Sequence, residues 1–74
     1  MIILEFERIR LLRENKNITQ QKLAEYLHVS QRTYSRYELG QHDIPTELLI
    51  EISNFHGVSV DYILGLTNNP KRYV

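Results

Sequence analysis

The sequence predicts an all-α fold, a single compact domain made of five short helices. The chain has 74 residues, of which 42% are apolar, and this is enough for one small core. Apolar residues recur at spacings of three and four, which is typical of helices. No strict alternation lasts long enough to indicate a strand, apart from a possible short extended start at Ile2 and Ile3. Residues that favour helix ends separate the apolar stretches.

The first helix is predicted over residues 5–15, because Phe6, Ile9 and Leu12 share one face at helical spacing. Asn17 follows this stretch, and asparagine tolerates the left-handed conformation in which helices end. We therefore expect the chain to turn at Asn17.

The second helix is predicted to begin after Thr19, a favourable N-cap residue, and to break at His28 and Val29. Its inner stripe would consist of Leu23, Ala24 and Leu27. The third helix would begin after the N-cap residue Ser30 and end at Gly40. Tyr34 and Tyr37, one turn apart, would lie on its inner side.

The fourth helix is predicted to open at Pro45 and Thr46 and to end at Gly57. Its apolar stripe would contain Leu48, Leu49, Ile52 and Phe55. Ser59 would cap the fifth helix, which would bury Ile63 or Leu64. We take residues 1–66 as the folded domain and expect the polar tail at residues 67–74 to fray.

Composition excludes several classes of protein. The chain has no cysteine, so disulfides and thiolate metal sites are excluded. Its longest apolar run, residues 1–4, is far shorter than the ~20 residues that span a bilayer. No two of His28, His42 and His56 have the spacing of helical metal ligands, and we expect them to be solvated turn residues. We expect no enzymatic activity, metal, cofactor or membrane association, and a cytoplasmic location.

The second and third helices form the most informative motif, because a turn of only three or four residues joins them. Such a turn permits a steep crossing only where the touching side chains are small. Ala24, the only alanine in the chain, lies one turn before the break, and Val29 would fill the gap between the helices. Spacing alone leaves open an ordinary helical hairpin in a small bundle.

Residues 9–14, 18–24 and 29–40, read in order, resemble the Cro/repressor-type helix-turn-helix family, also called the xenobiotic-response-element family. The stretch from Pro45 to residue 64 is similar to its fourth and fifth helices. The resemblance implies a repressor-like DNA-binding domain whose third helix enters the major groove. Two positions depart from the family pattern. His28 replaces the frequent turn glycine, and Tyr34 replaces a smaller aliphatic residue, so its hydroxyl needs a partner or solvent.

The distribution of charge favours DNA binding although the formal net charge is zero. Residues 1–40 carry seven basic and five acidic side chains, whereas residues 41–74 carry two and four. Helix N-termini normally attract acidic residues, and the fourth and fifth helices follow this rule with Glu47 and Asp61. The first turns of the second and third helices have no acid, so their positive ends are open to phosphate.

The outward side of the third helix supplies the candidate base contacts, because arginine pairs with guanine and glutamine with adenine. These residues are Gln31, Arg32, Thr33, Ser35 and Arg36. The resemblance implies a phosphate contact for Gln20. We add as candidate phosphate contacts Lys22, Ser30, Gln41 and His42. The resemblance also implies that Arg13 and Glu38 form a partly buried structural ion pair.

The expected partner is double-stranded DNA, as an inverted-repeat operator, and the expected role is that of a small transcriptional repressor. One such domain reads too few base pairs to find a site in a genome, so we expect a homodimer, formed in solution or only on DNA. Tyr62 and Leu66 are the candidate interface, unless Leu66 and the tail instead fold back over the N-terminal residues. Two alternatives stay open: an antitoxin that binds a toxin and its own promoter, and a protein-interaction module that does not bind DNA.

Overall fold

A computed structural model of the chain describes residues 7–72, and within them every regular element is a helix. The five helices are α1 (Glu7–Asn15), α2 (Gln20–Leu27), α3 (Gln31–Glu38), α4 (Thr46–His56) and α5 (Val60–Ile63). The predicted all-α fold of five helices is therefore confirmed. The predictions for Ile2, Ile3 and Phe6 lie outside the described residues.

Three helices begin at hydroxyl caps, as the sequence predicts. The side-chain oxygens of Thr19, Ser30 and Ser59 each accept a hydrogen bond from the backbone N–H three residues later, at 3.0–3.1 Å. Each cap satisfies a backbone donor that the first turn leaves without a helical partner. The starts of α2, α3 and α5 are consequently fixed by local chemistry.

The predicted turns adopt the left-handed conformation. Asn17 has a φ of 57° and His28 a φ of 60°, so the histidine occupies the place of the family's glycine with the same backbone geometry. Gly57 ends α4 with a φ of 67°, and its N–H donates to the carbonyl of Ser53. The α2–α3 turn is therefore formed without glycine, as the sequence analysis expected.

The core lies where the five helices meet. It is formed by the buried side chains Ile9, Leu23, Ala24, Leu27, Tyr34, Tyr37, Ile52, Val58 and Ile63. Val29 is half-buried in the turn and packs against this core. In α5 the buried residue is Ile63, whereas Leu64 is 41% exposed. The predicted stripes of α2 and α3 thus face inward.

His56 corrects the prediction that all three histidines are solvated. Its side chain is only 8% exposed, and its ring stands edge-on to Phe55 with the centroids 5.0 Å apart. Within residues 7–72, neither ring nitrogen has a hydrogen-bond partner. Burial, together with the nearby charge of Lys16, lowers the pKa of His56 to about 4. The ring is therefore neutral at pH 7 and acts as part of the core.

Tyr34 does not meet the expectation that its hydroxyl would find a partner or solvent. The side chain is fully buried, and its oxygen has no hydrogen-bond partner among the described residues. Burial, and secondarily the neighbouring carboxylate of Glu38, raises the pKa of Tyr34. The phenol is thus held neutral inside the core.

The polar segment 67–72 is hydrogen-bonded to the domain, and its fraying stays a prediction. Arg8 donates hydrogen bonds to the carbonyls of Tyr62 and Thr67 and to the side chain of Asn68. The Ser59 N–H donates to the carbonyl of Pro70 at 3.0 Å. The bonds from Arg8 hold the segment after α5 against the start of α1.

Candidate nucleic-acid interface

Helices α2 and α3 both begin at the surface, and neither carries an acidic residue in its first turn. In contrast, the first turns of α1, α4 and α5 contain Glu7, Glu47 and Asp61. Free backbone N–H groups and the helix dipole make such ends favourable for an anion. The two helices of the motif therefore differ from the other three, because their positive N-terminal ends have no acidic side chain of the protein beside them.

The exposed side of α3 follows from its helical spacing. Successive side chains are rotated by about 100°, so residues 32, 35, 36 and 39 point to the same side, away from buried Tyr34, Tyr37 and Glu38. We call this exposed side the outer face of α3. It consists of Arg32, Ser35, Arg36 and Leu39, and Gln31 adjoins it at the N-terminal end of the helix.

An open groove runs along the outer face and reaches α2 and the loop after α3. It is lined by Gln20, Gln31, Arg32, Ser35, Arg36, Leu39 and Gln41. Six of these residues were candidate DNA contacts in the sequence analysis. None of the residues lining the groove is acidic, and two are arginines, so the groove favours an anionic ligand.

Leu39 is the lining residue that the sequence analysis missed. It is 59% exposed at the end of α3. Its spacing of four from Ser35 and seven from Arg32 was visible in the sequence and places it on the outer face. The groove therefore contains one large apolar side chain among polar ones.

Arg36 and His42 meet at the far end of the groove. The Nη1 atom of Arg36 lies 3.2 Å from Nε2 of His42. The Gln41 N–H donates to the Arg36 carbonyl at 2.9 Å, which holds the loop against α3. The structure thus brings the loop candidates Gln41 and His42 next to a candidate base contact.

Besides His42, three candidate contacts lie outside the groove lining. Lys22 is on the side of α2 that faces Tyr26 and Phe55. Ser30 donates its hydroxyl hydrogen to Thr33 Oγ1 at 2.9 Å while capping α3, so the two hydroxyls bind each other. Phosphate or base contacts by these three residues stay predictions.

Arg13 and Glu38 form a buried ion pair behind the outer face. Arg13 Nε lies 2.7 Å from Glu38 Oε2, and Nη2 lies 3.2 Å from Oε1, so the contact is bidentate. Arg13 also donates to the carbonyl of Ile18 at 2.9 Å. Burial alone would raise the pKa of Glu38, but Arg13, the neighbouring Tyr34 hydroxyl and Gln20 together outweigh it and lower this pKa. The pair links α1 to the end of α3.

Gln20 connects this ion pair to the groove. Its Nε2 donates to Glu38 Oε1 at 3.1 Å, while the residue also lines the groove. The amide oxygen and the second amide hydrogen are not used in this bond. If Gln20 binds a phosphate while it keeps this bond, Glu38 sets the orientation of the Gln20 amide.

The two candidate dimer residues have different surroundings. The Arg8 guanidinium lies 4.2 Å from the centroid of the Tyr62 ring, which is half-buried against the core. Leu66 is 73% exposed, the largest exposure among the large apolar residues described. Leu66 can thus meet a partner directly, whereas Tyr62 is covered by Arg8.

Two other kinds of site are absent from the part of the chain that the structure describes. Residues 7–72 contain no group of three or more histidine, aspartate or glutamate side chains placed to hold a metal ion. No helix in this range is long and apolar enough to cross a membrane.

Comparison with known sequences supports the same motif. A family model described as helix-turn-helix matches residues 9–63. The HTH-type transcriptional regulator YobD of Bacillus subtilis is 38% identical over 64 residues, covering 86% of this chain and 57% of YobD. ImmR, an HTH-type transcriptional regulator of the same organism, is 36% identical over 66 residues, covering 89% and 52%. The chain thus spans about half the length of these curated relatives.

A solved structure gives the same result for the fold. The crystal structure of the clp gene regulator ClgR from Corynebacterium glutamicum superposes with a TM-score of 0.74 at 30% identity. The match covers 86% of this chain and 86% of that chain. The arrangement of helices around the α2–α3 motif is therefore shared with a solved regulator.

Proposed function

Since this chain belongs to the Cro/repressor-type helix-turn-helix family, we propose that it binds double-stranded DNA sequence-specifically as a transcriptional regulator. The observation that carries this proposal is the groove along the outer face of α3, which combines two arginines with two acid-free helix N-termini. Arg32 and Arg36 would read base edges, and Gln20 and the helix ends would bind phosphates. The protein would act in the cytoplasm, on the nucleoid.

Repression is the simplest consequence of such binding. A domain that occupies the major groove of its operator prevents another protein from using the same DNA. The relatives named as regulators include the transcriptional activator BcrR of Enterococcus faecalis, which is 42% identical over 58 residues. We therefore propose repression, and the test is to measure transcription from a template that carries the selected site, with and without the protein.

The direct test is selection of bound sequences from a random pool of duplex DNA. We expect enrichment of one short motif, with affinity that falls steeply as salt rises because phosphate contacts release counterions. Binding of all sequences alike, or no binding at low salt, would contradict the proposal. A variant with both Arg32 and Arg36 changed to alanine is the control, since the groove then loses both of its cations.

We further propose that two copies bind an inverted repeat, with half-sites about 34–36 Å apart. Leu66 supports this proposal because it is highly exposed and lies three residues after the end of α5. Tyr62 is the second candidate, and the Arg8 guanidinium lies over its ring. Binding to the repeat should be steeper than to one half-site, and Leu66→Glu should remove the difference. Leu39→Glu is unsuitable as a control because Leu39 lines the groove, whereas Ile50→Glu alters another exposed apolar residue, on α4. One protein per repeat at saturation would contradict the dimer.

A further inference from the structure

The loop after α3 is fixed to the helix by its backbone. Gly40 has a φ of 73°, and its N–H donates to the Tyr37 carbonyl at 3.2 Å. The Gln41 N–H donates to the Arg36 carbonyl at 2.9 Å. This pair of bonds is the Schellman motif, which reverses the chain at a helix end. His42 is consequently delivered next to Arg36 by local backbone structure.

The Arg36–His42 contact assigns the state of the histidine ring. A guanidinium has only donors, so at 3.2 Å the Nε2 atom of His42 must accept a hydrogen bond from Nη1 of Arg36. The neutral ring then carries its proton on Nδ1. A ring in this state is an acceptor toward Arg36 and offers no positive charge to a phosphate.

From this contact we infer that His42 is a positioning residue, which holds the Arg36 guanidinium toward the base edges and thereby sets specificity at the base pair that Arg36 reads. The inference rests on the proposed DNA binding and replaces the phosphate contact expected for His42. Arginine has several rotatable bonds, and fixing such a side chain before binding removes part of its entropic cost. One of its five N–H groups is used for His42, and the others remain for a bidentate contact with guanine.

Substitutions at His42 separate positioning from phosphate binding. The amide oxygen of His42→Gln falls where Nε2 lies and can still accept from Arg36. The oxygen of His42→Asn falls where Nδ1 lies and is too short, so asparagine is the matched control. His42→Lys supplies a cation for phosphate but no acceptor.

Affinities should be measured for the preferred site and for each single-base-pair change, and expressed as specificity ratios. His42→Gln should keep the wild-type ratios. His42→Asn and His42→Lys should lower the ratio about two- to tenfold at one base pair only. In an Arg36→Ala background the same substitutions should have no effect on that ratio. Nitrogen NMR of the free protein should show His42 protonated on Nδ1, and Arg36→Ala should alter that signal.

The opposite pattern would overturn the inference. If His42 binds phosphate, His42→Lys should retain or raise affinity for all sequences, while glutamine and asparagine should lower it evenly. Equal specificity ratios in all variants, or an Nε2-protonated ring, would likewise overturn it and leave the proposed function intact. Failure of the wild-type protein to bind any duplex DNA would overturn both.

Discussion

The two sides of α3 treat their polar groups in different ways. On the inner side, the Glu38 carboxylate is bound by Arg13 and Gln20 inside the protein. On the outer face, Arg32 and Arg36 line an open groove with no carboxylate among its lining residues. The inner side thus satisfies its charges within the chain, whereas the outer face presents them to a ligand. If α3 binds DNA as proposed, one short helix holds the fold together and recognises a partner, because the two tasks use opposite sides.

The largest expected effect on stability comes from removing the ion pair on the inner side of α3. Glu38→Ala leaves Arg13 without its partner in a partly buried site and should lower the free energy of unfolding by about 2–4 kcal/mol. Changing Arg13 and Glu38 together to leucine should recover part of this loss, since no charge is then left unpaired. Denaturant unfolding measures both. Equal stability of Glu38→Ala and the wild type would refute a structural role for the pair.

Acid should lower the free energy of unfolding because of His56, a second buried polar group that, unlike Glu38, has no described partner. The pKa of His56 is about 4 in the folded protein and about 6.5 in an unfolded chain. The unfolded chain therefore binds a proton first, and stability is complete above pH 6.5 and falls as the pH approaches 4. The loss should reach about 3 kcal/mol. The lowered pKa of Glu38 adds a further loss below its ordinary value of 4.5.

Unfolding free energies measured from pH 4.5 to 7 separate these contributions. His56→Leu should give a nearly flat profile above pH 4.5. The matched control is His28→Asn. It changes an exposed histidine whose left-handed backbone conformation asparagine tolerates, and it should keep the wild-type slope. An unchanged slope in His56→Leu would assign the acid sensitivity to another group.

Changes on the outer face should affect binding and leave folding intact. Arg32→Ala and Arg36→Ala should each cost about 1–3 kcal/mol on the preferred site and relax its sequence. Their unfolding free energies should stay within about 0.5 kcal/mol of wild type. Gln20→Ala should weaken all sequences more evenly, and should also reduce stability because Gln20 bonds to Glu38. Full affinity and an unchanged site in both arginine variants would show that α3 is not the reader.

The smallest effect is expected at Tyr34, the residue on the inner side of α3 whose polar group is not satisfied. Its buried hydroxyl has no described partner, so Tyr34→Phe removes an unsatisfied polar group and should stabilise the fold by at most about 1 kcal/mol. Thermal unfolding measures this change. A clear loss of stability would mean that the hydroxyl is bonded in solution, and that the inner side satisfies all of its polar groups.

Local rules in the sequence predicted most of the fold. Thr19, Ser30 and Ser59 act through atoms three residues away, and the turn at His28 depends on its own backbone. Such features are readable because cause and effect lie within one helical turn. The same holds for the outer face of α3, whose members follow from a rotation of 100° per residue.

Contacts between distant parts of the chain could not be predicted in this way. His56 stands beside Gly57 at a helix end, a pattern typical of a solvated residue, but in the folded domain its side chain is buried. The sequence likewise could not tell that Arg8 would bind the segment after α5. The pair of Arg13 and Glu38, also distant in the chain, was expected only through the family resemblance. These outcomes depend on which surfaces meet, and tertiary packing decides that.

The acid-free first turns of α2 and α3 imply that this domain is less stable than its own helices would allow. An acidic residue near a helix N-terminus contributes about 0.3–1 kcal/mol, and Gln21 and Gln31 occupy positions where glutamate would fit. Glutamate there would also repel the phosphates of a bound duplex. A version of this sequence optimised for thermal resistance alone would therefore acquire those acids and lose its ligand. On the proposed function, the absence of acids at these two helix ends is a condition of recognition rather than a defect of the fold.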